Sequence, residues 1–292
     1  MAEEPVINPM YETSKGLSER WLKSTLRMDN NTANIWSRLD IAFMSVVCAP
    51  NADLETLKLM NDWNGWVFAF DDRFDEGIFA NDVTGATEEV IYTLSVLDDV
   101  HPIIFPDNNP QGHTIQSCWM RFKKRSSVAM QYRWRRYVTV YCIGVLRQIG
   151  FQHRASLPNI KQYMDIRACS VGVYPCLGLM EQVGEKSNII FILKAQGMTD
   201  QQAVDQIGKL LYDCYHRWYA ALADIPFSGE SIDRDVTKFV NGCRNIALGN
   251  LHWSLKTSRY FGTDGAEVKR TRMSKLPKHF RTWHAVSIAA SE

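Results

Sequence analysis

Asp71, Asp72, Asp75 and Glu76 place four carboxylates within six positions, directly after the apolar run Trp66-Val67-Phe68-Ala69-Phe70. Negative charge at that density is costly unless a cation neutralises it. On a helix, Asp71 and Asp75 share one face, with Asp72 and Glu76 on the adjoining one. Such a row of hard oxygen donors suits Mg2+, which keeps several waters and bridges protein carboxylates to phosphate oxygens. A solvated acidic helix end is the ordinary alternative. The aromatic approach through Trp66, Phe68 and Phe70 argues against it.

Two other segments carry complementary chemistry. Near the C-terminus, Arg259-Tyr260 stands just before Gly262, at the end of an apolar helical pattern that includes Trp253. A guanidinium can grip phosphate oxygens bidentately, and a phenol can donate one more hydrogen bond. In the middle, Arg167 lies on a helical pattern interrupted by Ser170-Val171-Gly172 and Pro175. A broken helix frees backbone carbonyls beside a cavity.

The elements that must position these groups read as helices. Apolar residues recur at three and four spacing over 35–48, 53–70, 86–98, 114–149, 158–181, 199–223 and 233–261. Ala49-Pro50-Asn51-Ala52-Asp53 offers a stop and a new N-cap, and the stretch from Pro102 to Pro110 reads as a loop. No alternating stretch is long enough to build a sheet. The expectation is one all-α domain over 1–292.

Composition narrows the partners. The 292 residues are 46% hydrophobic and 22% charged, with a net charge of +1 that gives no reason to expect nucleic acid. A basic and aromatic stretch, from Arg121 through Tyr137, offers charge and stacking of the kind that binds single strands. An amphipathic helix with a solvated basic face is the preferred reading. Seven scattered cysteines without a CxxC pair read as reduced thiols of a cytoplasmic protein. The start, Met1-Ala2-Glu3-Glu4-Pro5, is acidic where a signal peptide would be basic, and no apolar run approaches a membrane span.

Together the three segments resemble class I terpene synthases, in particular fungal sesquiterpene synthases of basidiomycete type. The resemblance runs from Asn8-Pro9-Met10-Tyr11 to the Arg-Tyr pair and includes the DDxxDE row, the Arg-x-x-Ser-x-Gly break and the WSxxxxRY end. It implies an all-α bundle around an aromatic-lined pocket that ionises and cyclises farnesyl diphosphate with Mg2+, Mn2+ being an admissible substitute. By the same resemblance Asp71 is the principal metal ligand, supported by Asp72, Asp75 and Glu76. Arg167 senses diphosphate, Ser170, Val171 and Gly172 form the triggering break, and Arg259 and Tyr260 close over the leaving group. Phe68, Phe74 and Trp253 are the rings expected to face the cation. The chemistry needs no protein base, and a homo-oligomer is compatible with it.

The chain departs from the family pattern at one place. The family's second metal motif, Asn-Asp-x-x-Ser-x-x-x-Glu, should precede Gly184-Glu185-Lys186-Ser187-Asn188, yet only Cys176 through Val183 stand there. Asn81 with Gly85 and Glu89 has the spacing but carries glycine in place of the serine, and neither Asn61 nor Asn241 supplies the motif. The bundle is therefore expected to lack a helix between Glu181 and Gly184, leaving apolar faces uncovered and the site open to water. The alternative to a working synthase is thus an impaired splice or deletion variant that binds diphosphate or a partner without turnover. A prenyl chain elongator is disfavoured, because Asp98-Asp99 lacks the third aspartate of a second acidic motif.

Overall fold

Local signals start the helices where polar side chains can take up the first free amides. Asp29 accepts from the Thr32 amide, Asp53 from Thr56, Asp82 from Gly85 and Asn109 from Gly112. Thr199 and Gln202 form a reciprocal capping box. In the computed structural model, residues 4–75, 77–153, 158–169, 189–271 and 273 are described, without the side chains of 152, 153, 166–169 and 191. The helices among them are α1 (Tyr11–Thr25), α2 (Asn30–Leu39), α3 (Ile41–Cys48), α4 (Leu54–Asp75), α5 (Val83–Ser95), α6 (Pro110–Lys123), α7 (Val128–His153), α8 (Ile160–Cys169), α9 (Ile189–Ala195), α10 (Asp200–Ala223), α11 (Glu230–Lys256), α12 (Ser258–Phe261) and α13 (Gly265–Thr271). No strand occurs among the described residues.

Helix α4 is the centre of the arrangement. One face packs on α6 and α7, where Trp66, Phe70 and Phe74 join Trp119, Tyr141, Cys142 and Ile149 in the main core. Full burial of rings this large stabilises by roughly 2–3 kcal/mol each. Its other flank meets α1 and α3, and α3 in turn carries the C-terminal half of α11. There Phe43, Val46, Leu57, Trp253 and Tyr260 form a second core. Gly249 permits the close approach of α11, since a Cβ there would sit 2.5 Å from Cys48 Sγ and 3.1 Å from Met44 O.

Three long patterns divide where the expected helices ran on. The 35–48 stretch breaks at Asp40, whose φ of 52° is left-handed and whose carboxylate accepts hydrogen bonds from Tyr11, Lys15 and Lys256. The 114–149 stretch is α6 and α7, separated by 124–127, and the C-terminal pattern ends at Lys256 rather than at Gly262. Helices α1, α9 and α13 were not among the periodic stretches. The part of 158–181 beyond Cys169, and the connection from Glu181 to Gly184, lie outside the described residues.

The basic stretch is largely neutralised by neighbouring elements. Arg121 pairs with the fully buried Asp62, Lys123 with Asp99, Arg125 with Asp53 and Arg135 with Asp98. Of its aromatics, Phe122 and Trp134 pack inward, Trp134 stacking on Trp119 at 5.1 Å, while Tyr132 and Tyr137 stay exposed. Cys48, Cys118 and Cys142 are free thiols that burial pushes up to about 12. No described helix is long and apolar enough to cross a membrane.

The later helices bury little. Of α10 only Ala203 is buried, and α11 buries Gly249 and His252 to Ser254 while its N-terminal half stands clear. Ile232, Val236, Phe239, Cys243 and Ile246 follow one another at four and three spacing along that half, with Phe239 74% exposed. A stripe of this period normally packs on another helix.

Candidate active site

Helix α4 continues unbroken through Asp75, so the acidic row is helical as its spacing requires. The tertiary structure then treats the acids differently. Asp71 Oδ1 accepts from the Tyr141 hydroxyl at 3.2 Å, and Asp75 Oδ1 accepts from Gln148 Nε2 at 2.7 Å. Both donors are neutral, and both lie on α7. Successive contacts of α4 with α7, from Trp63 with Trp134 to Asp75 with Gln148, show that the two helices run in the same direction.

Asp72 faces the other way. Its Oδ1 lies 3.7 Å from Arg259 Nη2, with 43% of the Asp72 side chain exposed. Protein crowds the remaining sides, so desolvation pushes its carboxyl up, and Arg259 opposes that shift. The Arg259 guanidinium also lies over the Phe68 ring, 5.4 Å from its centroid. Phe68 in turn packs on Trp253 at 5.5 Å, and Trp253 meets Tyr260 edge-on at 5.7 Å.

Arg259 reaches this position because α11 stops one turn before it. Thr257 adopts an extended conformation, and its hydroxyl accepts from the Arg259 amide to start α12. Gly262, at a left-handed φ of 55°, ends that short helix. The indole of Trp253 anchors the same region by donating to Leu39 O at 2.7 Å.

Of the expected site residues, Asp72, Phe68, Trp253, Arg259 and Tyr260 are brought together. Asp71 and Asp75 lie on the neighbouring face. Phe74, expected to face a cation, is instead 1% exposed and packs between Phe70 and Phe79, because its position on α4 points into the core. Tyr260 is also largely buried, its ring committed to Trp253. Only the backbone of Arg167 is described, near the end of α8, and Glu76, Ser170, Val171 and Gly172 lie outside the described residues. Tyr141 and Gln148 were missed. Their seven-residue spacing puts them on one helical face, but nothing in the sequence pairs that face with the acids.

The donors fit a divalent cation of the Mg2+ type. Among the described residues no three acids, histidines or cysteines converge tightly enough to cage a metal. Mg2+ does not require a cage, since one or two carboxylates with waters and substrate phosphates complete its shell. Asp71 and Asp75 each accept a hydrogen bond from a neutral α7 side chain, which adds no competing charge of its own.

Known proteins resemble this chain along most of its length. Residues 62–187 match the family model "Terpene synthase family 2, C-terminal metal binding". The chain is 62% identical to terpene cyclase 4 of Gibberella fujikuroi, covering 95% of this chain and 87% of that protein. It is 31% identical to (+)-eremophilene synthase of the same organism, covering 94% and 90%. A crystal structure of a variant of the SVS_A2 protein from ancestral sequence reconstruction superposes with a TM-score of 0.75 at 20% identity, covering 86% of each chain. That last likeness concerns the fold alone. The alignment with terpene cyclase 4 extends over 318 positions, more than the 292 residues of this chain, so that relative contains residues with no counterpart here.

Proposed function

Because this chain belongs to the fungal class I terpene synthase family, a family of lyases with an all-α fold, we propose that it acts on farnesyl diphosphate with Mg2+, for which Mn2+ can substitute. The carbon–oxygen bond to diphosphate breaks, diphosphate departs, and the farnesyl cation cyclises before losing a proton or capturing water. The observation that carries this reading is the approach of Arg259 to Asp72, which joins the acidic helix to the Arg-Tyr terminus.

In this reading Asp71 and Asp75, with Asp72 and Glu76 in support, hold the metal ions. A bound divalent cation supplies Lewis-acid neutralisation of the leaving diphosphate. Arg259 exchanges its contact with Asp72 for diphosphate oxygens, and its planar fork suits two of them at once. Desolvation of Asp72 makes a nearby positive charge worth more than it would be in water. Phe68, only partly buried, offers a ring face that stabilises a cation without a nucleophile, while Trp253, as buried as Phe74, backs it. Arg167 and the Ser170-Val171-Gly172 break take the sensing and triggering roles implied by the family resemblance. Tyr260 acts by fixing Trp253 and Arg259 through its packed ring.

A second reading is a scaffold that binds diphosphate without turnover. It is favoured by the residues of terpene cyclase 4 that have no counterpart here and by the uncovered stripe on α11. Incubation of purified protein with farnesyl diphosphate and Mg2+, followed by analysis of the organic extract, decides between them. A sesquiterpene hydrocarbon or alcohol absent from an Asp71→Ala, Asp75→Ala control supports the synthase. No product above that control, with Mg2+-dependent pyrophosphate binding retained, supports the scaffold.

A further inference from the structure

We propose that Gln148 is a positioning residue for the metal-binding acids, resting on the site reading above: its amide orients Asp75 without spending the charge of that carboxylate. The half-buried Gln148 side chain extends from α7 and donates from Nε2 to Asp75 Oδ1 at 2.7 Å. One face of the same helix also carries Tyr141, which donates to Asp71 Oδ1 at 3.2 Å. The two acids four residues apart on α4 are thus backed by two donors seven apart on α7.

The neutrality of the donor matters. An arginine or lysine at position 148 would compete with a divalent cation for the Asp75 charge, as Arg259 already does for Asp72. A carboxamide occupies one of roughly four lone-pair directions on the carboxylate and brings no charge of its own. It also fixes the rotamer of Asp75, so less side-chain freedom remains to be lost when metal arrives. Outer partners of this kind commonly change metal affinity by about 10–100-fold when removed.

The test is thermal stabilisation of the full chain by inorganic pyrophosphate across a Mg2+ titration, which reads binding without turnover. Gln148→Leu keeps most of the side-chain volume and is expected to raise the half-saturating Mg2+ concentration about tenfold, with the melting temperature in the absence of both ligands nearly unchanged. Gln148→Lys is expected to weaken the response further, because it adds a competing cation. In an Asp75→Asn background Gln148→Leu should have little additional effect, since the partner it orients is gone. A Gln148→Leu protein with the wild-type Mg2+ requirement overturns the proposal. So does a Gln148→Lys protein that needs less Mg2+ than Gln148→Leu, or full additivity with Asp75→Asn. A loss of ligand-free stability that accounts for the whole change in response also overturns it. A wild-type chain that shows no Mg2+-dependent response to pyrophosphate overturns the reading of the site itself, and is distinguishable from those outcomes because the reference fails rather than the variant.

Discussion

Arg259 Nη2 lies 3.7 Å from Asp72 Oδ1, which ties the short helix α12 to the helix carrying the acidic row. Charge on one group is therefore felt by the other. Arg259→Ala is expected to lower the rate of pyrophosphate release from farnesyl diphosphate by about a hundredfold. Arg259→Lys should recover little of it, because an ammonium lacks the planar fork. Steady-state pyrophosphate release checks both variants.

The acids themselves make a sharper case. Asp71→Ala and Asp75→Ala each remove a carboxylate held by a neutral α7 donor. Each is expected to abolish the Mg2+ dependence of pyrophosphate binding. Melting temperature should stay near that of the wild type, since neither acid lies in the buried core. Calorimetric titration of pyrophosphate at several Mg2+ concentrations would show a retained dependence if the acids were not ligands.

Asp40 is a structural counterpart. Desolvation pushes its carboxyl up, yet hydrogen bonds from Lys256, Tyr11 and Lys15 outweigh that and hold it below the ordinary carboxylate range. The stabilisation is present above the unfolded pKa of about 3.9 and is lost as pH falls through the lower folded value. Asp40→Asn keeps a residue that tolerates the left-handed backbone and should destabilise by about 2 kcal/mol at pH 7, less than a fully buried pair would. Lys256 is 43% exposed, which is why the effect is discounted. Urea unfolding at pH 7 and pH 3 should show the gap between the two proteins narrowing in acid.

Gly249 sets how closely α11 lies on α3. A methyl group there meets Cys48 Sγ and the Met44 carbonyl, and pushing the helices apart typically costs about 1–3 kcal/mol. Gly249→Ala is expected to lower stability by that amount and to shift Trp253, which hangs from the same helix. Near-ultraviolet circular dichroism and chemical unfolding would register the two effects separately.

The stripe on α11 predicts a solution property. Phe239 and Ile246 are exposed large apolar residues on one helical face, and such patches bind hydrophobic dyes and promote association. Phe239→Lys with Ile246→Lys should reduce dye fluorescence and aggregation without lowering the melting temperature. A loss of stability would instead show that the stripe is packed.

What the sequence determined was local and collective. The cap at Asp53, the three-four periodicity, and the helical placement of Asp71 and Asp75 depend on neighbours within a few residues, so they could be read directly. The family resemblance rested on motif types and order in the same way. Tertiary structure alone decided which partner each acid has: Tyr141 and Gln148 for two of them, and Arg259 for Asp72. It also sent Phe74 into the core while leaving Phe68 beneath Arg259, and it ended α2 at Asp40 and α11 at Thr257. These outcomes depend on which helix faces lie against one another across long stretches of chain. A helix's own period says which residues share a face, but packing decides what that face meets.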